Sequence, residues 1–411
     1  MIGFLRQPAK PGQMVRLIRF FAPRGIRVSR AQGQYVWDSE GRRYLDFHTG
    51  NGAALLGHLN PYVMRRLREQ MEKVTVLPPL YDSEALEEAL SALGRILPPH
   101  LGNVFFQNSG SEAVELALKL ARKRTRRRKA IAFTGSFHGR TFGALSVTFN
   151  RAYREGYEPF PFEVEFLPFN SIEDLRRIGE DVAAAIVEPV QGEGGLTPAT
   201  DEFLRELEGR CREVGAYLIV DEVQSGFGRT GLVWDHLRAN VRPDIMVAGK
   251  SIGGGFPVSL VAVTDEIASR VEEGEHGSTH GGNPLALAAV TGGVEALLSD
   301  DVPSKARAAS ELLFAGLKEV AAENGDLVRS VKGKGLMLGL ELRFNPSQAI
   351  KDLQSRGLLS LKAGTTVLRF LPPYVITHGD IEWAVARTAE SLSAFRASRT
   401  QGHPAPAQNR P

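Results

Sequence analysis

Between residues 83 and 290, short apolar runs recur at 103–106, 130–133, 182–187, 216–220, 245–248 and 260–263. Stretches with helical spacing, among them 111–124 and 201–214, separate some of these runs. A short, continuous apolar run bounded by turn residues reads as a strand buried on both faces. Strands of this kind alternating with helices predict an α/β domain on a mostly parallel sheet. Ligands of such sheets sit beyond the carboxyl ends of the strands, so chemistry is sought in the residues that follow each run.

Two charged residues stand in such positions. Asp221 ends the run Ala216–Val220, and Lys250 follows Ile245–Gly249 inside a glycine-rich turn, "GKSIGGGFP". A lone buried charge is costly, so each calls for a partner in the pocket. Pyridoxal phosphate offers both: an aldehyde for the Lys250 amine and a ring nitrogen for Asp221. "LIVDE" with "GKS" also looks like a nucleotide hydrolase. A phosphate-binding loop, however, needs a glycine six residues before its lysine, and position 244 is Asp. A plain structural Lys–Asp pair is the remaining alternative.

Other segments add to the pocket. "NVFFQNSGSEAVELALKLARKR" runs from a strand through Asn108-Ser109-Gly110-Ser111 into a helix, whose N-terminal N–H groups suit a phosphate. Gly110 permits close approach and Ser111 adds a hydroxyl; plain capping by Ser109 is the simpler alternative. "TGSFHGRT" puts Phe137 and His138 in a turn after a strand, with Phe137 able to stack on a ring. Arg140 is a candidate carboxylate clamp. "VEPVQGEGG" carries Glu188 and Glu193, read as positioning groups because Lys250 already supplies a base. "HGSTHGGNP" offers Ser278 and Thr279 as donors, and "VLRFLPP" places Arg369 in an apolar strand, where it needs an anion.

The flanks differ in texture. Residues 33–46 read as two strands about an Asp-Ser-Glu-Gly turn, and Pro61 opens a helix through about Met71. A long helix over 303–323, strand-like "VRSVKGKGLMLGLEL", a helix near 347–356, strand-like "VLRFLPP" and a helix near 378–396 suggest a smaller α+β domain. The expected division is 1–55 as a segment joining the small domain, 56–300 as the large domain, 301–396 as the small domain and 397–411 as a disordered tail. A net charge of +3 implies neither nucleic acid nor membrane as partner. The single cysteine, Cys211, fits a reducing cytoplasm, and the first residues lack a signal-peptide core.

These segments together resemble the class III pyridoxal-phosphate aminotransferases of fold type I, in the family's order from about 108 to 373. The resemblance implies a large domain with a mostly parallel, seven-stranded sheet, and a homodimer with shared active sites. It assigns Lys250 to the cofactor aldehyde and to proton transfer, Asp221 to the ring nitrogen, and Gln224 to the vicinity of the ring hydroxyl. Gly110 and Ser111 would bind the phosphate, joined by the partner subunit's Thr279, and Phe137 would stack on the ring. Arg140 and Ser278 would contact the amino donor, Arg369 the glutamate α-carboxylate, and Glu193 would pair with Arg369 when an ω-amine enters. His280 departs from the aromatic residue of many members.

Within the family, "YLDFHTGNGAALLGHLNP", "LSLKAGTTVLRFLPPYVIT" and "GEHGSTHGGNP" resemble the acetylornithine branch and enzymes acting on lysine or ornithine attached to the acidic carrier LysW. The expected reaction moves an ω-amino group between that substrate and 2-oxoglutarate or glutamate. Free N-acetylornithine or 4-aminobutyrate as substrate is the alternative, followed by an aminomutase of the glutamate-1-semialdehyde type. The run Arg122–Lys129 holds seven cations in eight residues and is a candidate carrier dock; a solvated helix end is the plainer reading.

Overall fold

The computed structural model describes residues 15–401. Its centre is a seven-stranded sheet in the order Asn103–Gln107, Ser259–Val263, Ile245–Ala248, Tyr217–Asp221, Val182–Val187, Lys129–Phe133, Glu163–Leu167. Six strands run the same way; Ser259–Val263 is antiparallel to both neighbours. Every residue of Val182–Val187 is buried, which is why that run is uninterruptedly apolar. The helix Gly110–Thr125 packs Ala113, Val114 and Ala117 against Ile219, Val247 and Val261 on one face. The helix Asp201–Val214 covers the other with Phe203, Leu204 and Leu207 against Leu218 and Val220.

Glu163–Leu167 is a strand that the apolar-run reading omits. It is the sheet edge, pairing only with Lys129–Phe133, so its Glu-Val-Glu-Phe alternation faces partly outward. The "VRSVKGKGLMLGLEL" stretch is a hairpin, Val328–Lys334 and Met337–Leu342, rather than one strand. Its turn is held by Gly335 at φ +56°, where a Cβ would stand 2.3 Å from Thr230 Cα.

That hairpin joins Val367–Phe370 and Leu361–Ala363 in a four-stranded sheet, backed by the helices Val302–Glu323 and His378–Gln401. The N-terminal strands Val28–Gln32, Tyr35–Asp38 and Arg43–Asp46 form another sheet, closed by Leu358–Leu359 parallel to the last of them. The last helix runs to Gln401, five residues into the expected tail; 402–411 lie outside the described residues.

Candidate active site

The carboxyl ends of five of the six parallel strands, all but Glu163–Leu167, surround one cavity. It is lined by Gly110, Ser111, Phe137, His138, Glu188, Glu193, Asp221, Gln224 and Lys250. The sheet therefore brings together seven of the residues singled out for cofactor and substrate: Gly110, Ser111, Phe137, Glu193, Asp221, Gln224 and Lys250.

Lys250 heads a short 3₁₀ turn, Lys250–Gly253, with φ +48°, a conformation that costs a non-glycine residue energy and is held by the surrounding packing. Among the described residues its amine has no hydrogen-bond or ion-pair partner. Burial pulls its pKa down to about 8, an effect that the nearby Glu193 carboxylate opposes and Arg369 reinforces.

Asp221 is 6% exposed and held at both oxygens. Oδ1 accepts from Val223 N–H at 3.0 Å, and Oδ2 meets His138 Nδ1 at 2.7 Å. His138, 3% exposed, has no partner for its Nε2 among the described residues. Sequence reading had left this histidine without a role; its carboxylate partner lies 83 residues away in the chain, and no local pattern announces the contact.

Glu188 ties the two loops of the rim. Its Oε2 accepts from Phe137 N–H at 2.9 Å and its Oε1 from Gly192 N–H at 3.2 Å. Burial pushes its pKa up to about 7, opposed by His138 and helped by the Asp221 charge. A carboxyl whose folded pKa lies above its unfolded value favours the fold below about pH 4.5 and loses that advantage as pH rises through 7. Glu188→Gln is therefore expected to cost most stability near pH 4.5. The stability gap to wild type should narrow by up to about 3 kcal/mol as pH reaches 7.5. Denaturant midpoints of the cofactor-free proteins at the two pH values check this; a pH-independent gap contradicts it.

Arg369, 1% exposed, sits in the strand Val367–Phe370. Its Nη1 donates to the Gly192 carbonyl at 2.8 Å and its Nη2 pairs with Glu193 Oε1 at 2.7 Å. Nε has no partner. The anion that the sequence demanded for this arginine is thus Glu193, whose side chain is 32% exposed.

Three residues are not brought to this cavity. Arg140 is exposed, its guanidinium 3.5 Å from the Tyr153 ring centroid, with its backbone N–H donating to Ser111 Oγ at 2.9 Å. Ser278 Oγ accepts from Gly281 N–H at 2.9 Å in its own loop. Thr279 is exposed.

Pyridoxal phosphate fits the residues present. The first N–H groups of the helix Gly110–Thr125 have no intrahelical acceptor and face the cavity, suiting a phosphate. A Cβ at Gly110 would stand 2.9 Å from Val223 Cγ1, and one at Gly139 would stand 2.1 Å from Ser111 Oγ. Gln224 Oε1 is buried without a partner, while its Nε2 donates to the Asn51 carbonyl at 3.3 Å. An unpaired amine and a buried carboxylate complete the set.

A family model, aminotransferase class-III, matches residues 21–392. The chain belongs to that family. It is a transaminase that uses pyridoxal phosphate. It is 49% identical, over 92% of this chain and 97% of the relative, to a protein of Sulfolobus acidocaldarius described as "[LysW]-aminoadipate semialdehyde/glutamate semialdehyde transaminase". An acetylornithine aminotransferase of Methanopyrus kandleri is 42% identical over 90% of this chain and 95% of its own length. Among solved structures, an ornithine aminotransferase of Toxoplasma gondii superposes with a TM-score of 0.88 at 29% identity, covering 93% of this chain and 92% of that one.

The basic run Arg122–Lys129 is placed away from this class-III site. It occupies the last turn of the helix whose first turn lines the cavity, roughly 16 Å of helix from Ser111. Most of its cations are also engaged. Lys123 and Arg124 pair with Glu275, Arg127 donates to the carbonyls of Val182, Val214 and Gly215, and Lys129 pairs with Glu165. Arg122 stacks over Phe162, which leaves Arg126 and Arg128 without partners among the described residues.

Proposed function

We propose that this chain exchanges an ω-amino group between glutamate and a semialdehyde carried by a LysW-type protein, in the direction that supplies lysine or ornithine. The observation that carries the reading is the 49% identity, end to end, with a relative bearing that description, combined with the Arg369–Glu193 pair. An enzyme with two kinds of substrate needs an arginine for the α-carboxylate of glutamate. It also needs that arginine neutralised when an ω-amine with no carboxylate nearby takes its place. Glu193, partly exposed and beside a fixed Arg369, has the freedom to do this. An aminomutase has no second carboxylate substrate to call for the pair.

Bound in the cavity, pyridoxal phosphate supplies an aldehyde for amine exchange and a ring that takes up electron density as a carbon–hydrogen bond breaks. Lys250 Nζ, its pKa near 8, is poised to lose its proton near neutrality and then take one from the amine-bearing carbon of the substrate. Asp221, fixed by His138 and Val223, holds a proton on the ring nitrogen. Gly110 and Ser111 would hold the phosphate through backbone N–H groups and the hydroxyl, Phe137 would stack on the ring, and Gln224, with its unpaired buried oxygen, would lie near the ring hydroxyl. Arg140 and Ser278 are assigned to the amino donor.

The exposure of Thr279, away from its own cavity, supports a homodimer in which the partner subunit's Thr279 completes the phosphate site. The strand pairing of Arg43–Asp46 with Leu358–Leu359 supports assigning the N-terminal segment to the small domain. A cytoplasmic location is supported by the lone buried Cys211, and among the described residues no helix is long and apolar enough to cross a membrane.

The test is the visible spectrum of the cofactor-loaded protein during half-reactions. Glutamate and lysine-loaded carrier are expected to convert the cofactor to its amine form, the carrier substrate with the higher kcat/KM. Conversion by free N-acetylornithine or 4-aminobutyrate alone would move the assignment to the small-molecule enzymes.

A further inference from the structure

Charge in this chain is segregated. The first 37 residues hold seven lysines and arginines and no acid, so the remainder, with 43 basic and 47 acidic residues, is net negative. In the described part of that segment the arginines are Arg16, Arg19, Arg24, Arg27 and Arg30, all exposed. Arg30 stacks 3.8 Å from the Trp37 ring centroid, and Arg24 donates to the Ser360 carbonyl at 2.8 Å. The side chains of Arg16, Arg19 and Arg27 have no partner among the described residues. Between them Leu17, Phe20 and Phe21 are each 84% exposed. An unscreened row of cations interleaved with bare aromatic and aliphatic side chains fits an acidic protein surface, where charge steers the encounter and apolar contacts hold it.

At Arg24 the segment is tied to the small four-stranded sheet. Arg24 is pinned between the Ser360 carbonyl and Gln354, whose Nε2 donates to the Arg24 carbonyl at 2.7 Å. Ser360 precedes Leu361, and Leu361 pairs across the sheet with Arg369. His48 also feels the charges of both Arg24 and Arg369. Arg24 is therefore anchored next to the strand Leu361–Ala363, which pairs with the strand that carries Arg369.

We propose that the Val15–Arg30 segment is the surface on which an acidic carrier protein docks to present its amine to the Lys250 cavity. The inference rests on the carrier reading above, and it moves the dock from Arg122–Lys129 to the N-terminal arginines.

The test compares the full-length wild type with two triple variants at Arg16, Arg19 and Arg27, one to Gln and one to Lys. With lysine-loaded carrier, the Gln variant is expected to lose roughly tenfold or more in kcat/KM through KM, and its rate should lose its dependence on salt. The Lys variant should keep most of both. N-acetylornithine should be used equally by all three, and neutralising Arg126 and Arg128 should change nothing. Calorimetric titration with unloaded carrier at about 50 and 300 mM salt reads the contact without turnover.

Carrier binding unaffected by the Gln substitutions overturns the proposal even if the carrier substrate is preferred. Failure of the wild type to bind the carrier at all overturns the carrier reading with it. An equal loss on both substrates, accompanied by dissociation of the enzyme, assigns the segment to contact between copies of this chain. Binding to phosphatidylserine vesicles in place of the carrier assigns it to a membrane surface.

Discussion

Lys250→Ala is expected to lower kcat on every amino donor by about 10²–10⁴-fold, because it removes the base proposed to act at the reacting carbon. Stability should move the other way. The amine is buried with a folded pKa of about 8, against 10.5 for the free side chain. Between these two values the unfolded chain binds the extra proton, so the cofactor-free wild type gains stability as pH rises from about 8 to 10.5. The alanine variant should lack that rise and should melt no lower than wild type at pH 7. Added methylamine should restore part of the rate, increasing with the fraction of free base. A variant that unfolds at pH 7, or a rate insensitive to external amines, would assign Lys250 a structural part instead.

Arg369→Ala is the second large effect, and a selective one. The guanidinium is 1% exposed and bridges the Gly192 carbonyl and Glu193. Removing one partner of a buried, hydrogen-bonded charge pair typically costs 2–5 kcal/mol, or roughly 30- to 5000-fold. That loss should fall on kcat/KM for glutamate and 2-oxoglutarate. The ω-amine half-reaction should stay within about tenfold, since there Glu193 has only to withdraw the arginine's charge. Arg369→Lys should recover little, because one ammonium cannot hold both oxygen partners in the fork geometry. Stopped-flow half-reactions with each donor measured separately check the split. Equal losses on both sides would mean that Arg369 orders the loop around Gly192 rather than recognising a carboxylate.

The structure also suggests how these two residues are kept in register. Glu188 joins the loop bearing Phe137 to the loop bearing Gly192 and Glu193, and Arg369 holds the same Gly192 from the other side. Under the proposed roles, ring stacking by Phe137 and carboxylate recognition by Arg369 would share one hydrogen-bonded rim.

Much of this was legible in the amino-acid order. Buried parallel strands need continuous apolar runs, so six of the seven central strands were readable, as were the helix from Pro61 and the helix behind the NSGS turn. The edge strand Glu163–Leu167 was not, because an edge tolerates polar alternation and loses the signal. Asp221 and Lys250 stood out because strand ends are local features. Local sequence could not show that His138 grips Asp221 or that Glu188 bridges two loops, and the pairing of Glu193 with Arg369 was legible only through the family resemblance. The contacts of Glu188 with Phe137, His138 with Asp221 and Glu193 with Arg369 join segments 51 to 176 residues apart.

The basic runs make the same point about charge. A count along the chain singles out Arg122–Lys129, yet folding places that run beside Glu275, Glu165 and buried carbonyls at the far end of its helix. Of the sparser N-terminal arginines, Arg16, Arg19 and Arg27 make no side-chain ion pair among the described residues, while Arg24 feels the charge of Asp46. Periodicity and strand ends are properties of neighbours in the chain, and the sequence alone therefore determined six strands of the sheet, the NSGS turn and the strand-end positions of Asp221 and Lys250. Which charges are neutralised, and which carboxylate meets which base, depends on distances between remote segments. Only the tertiary structure decides those.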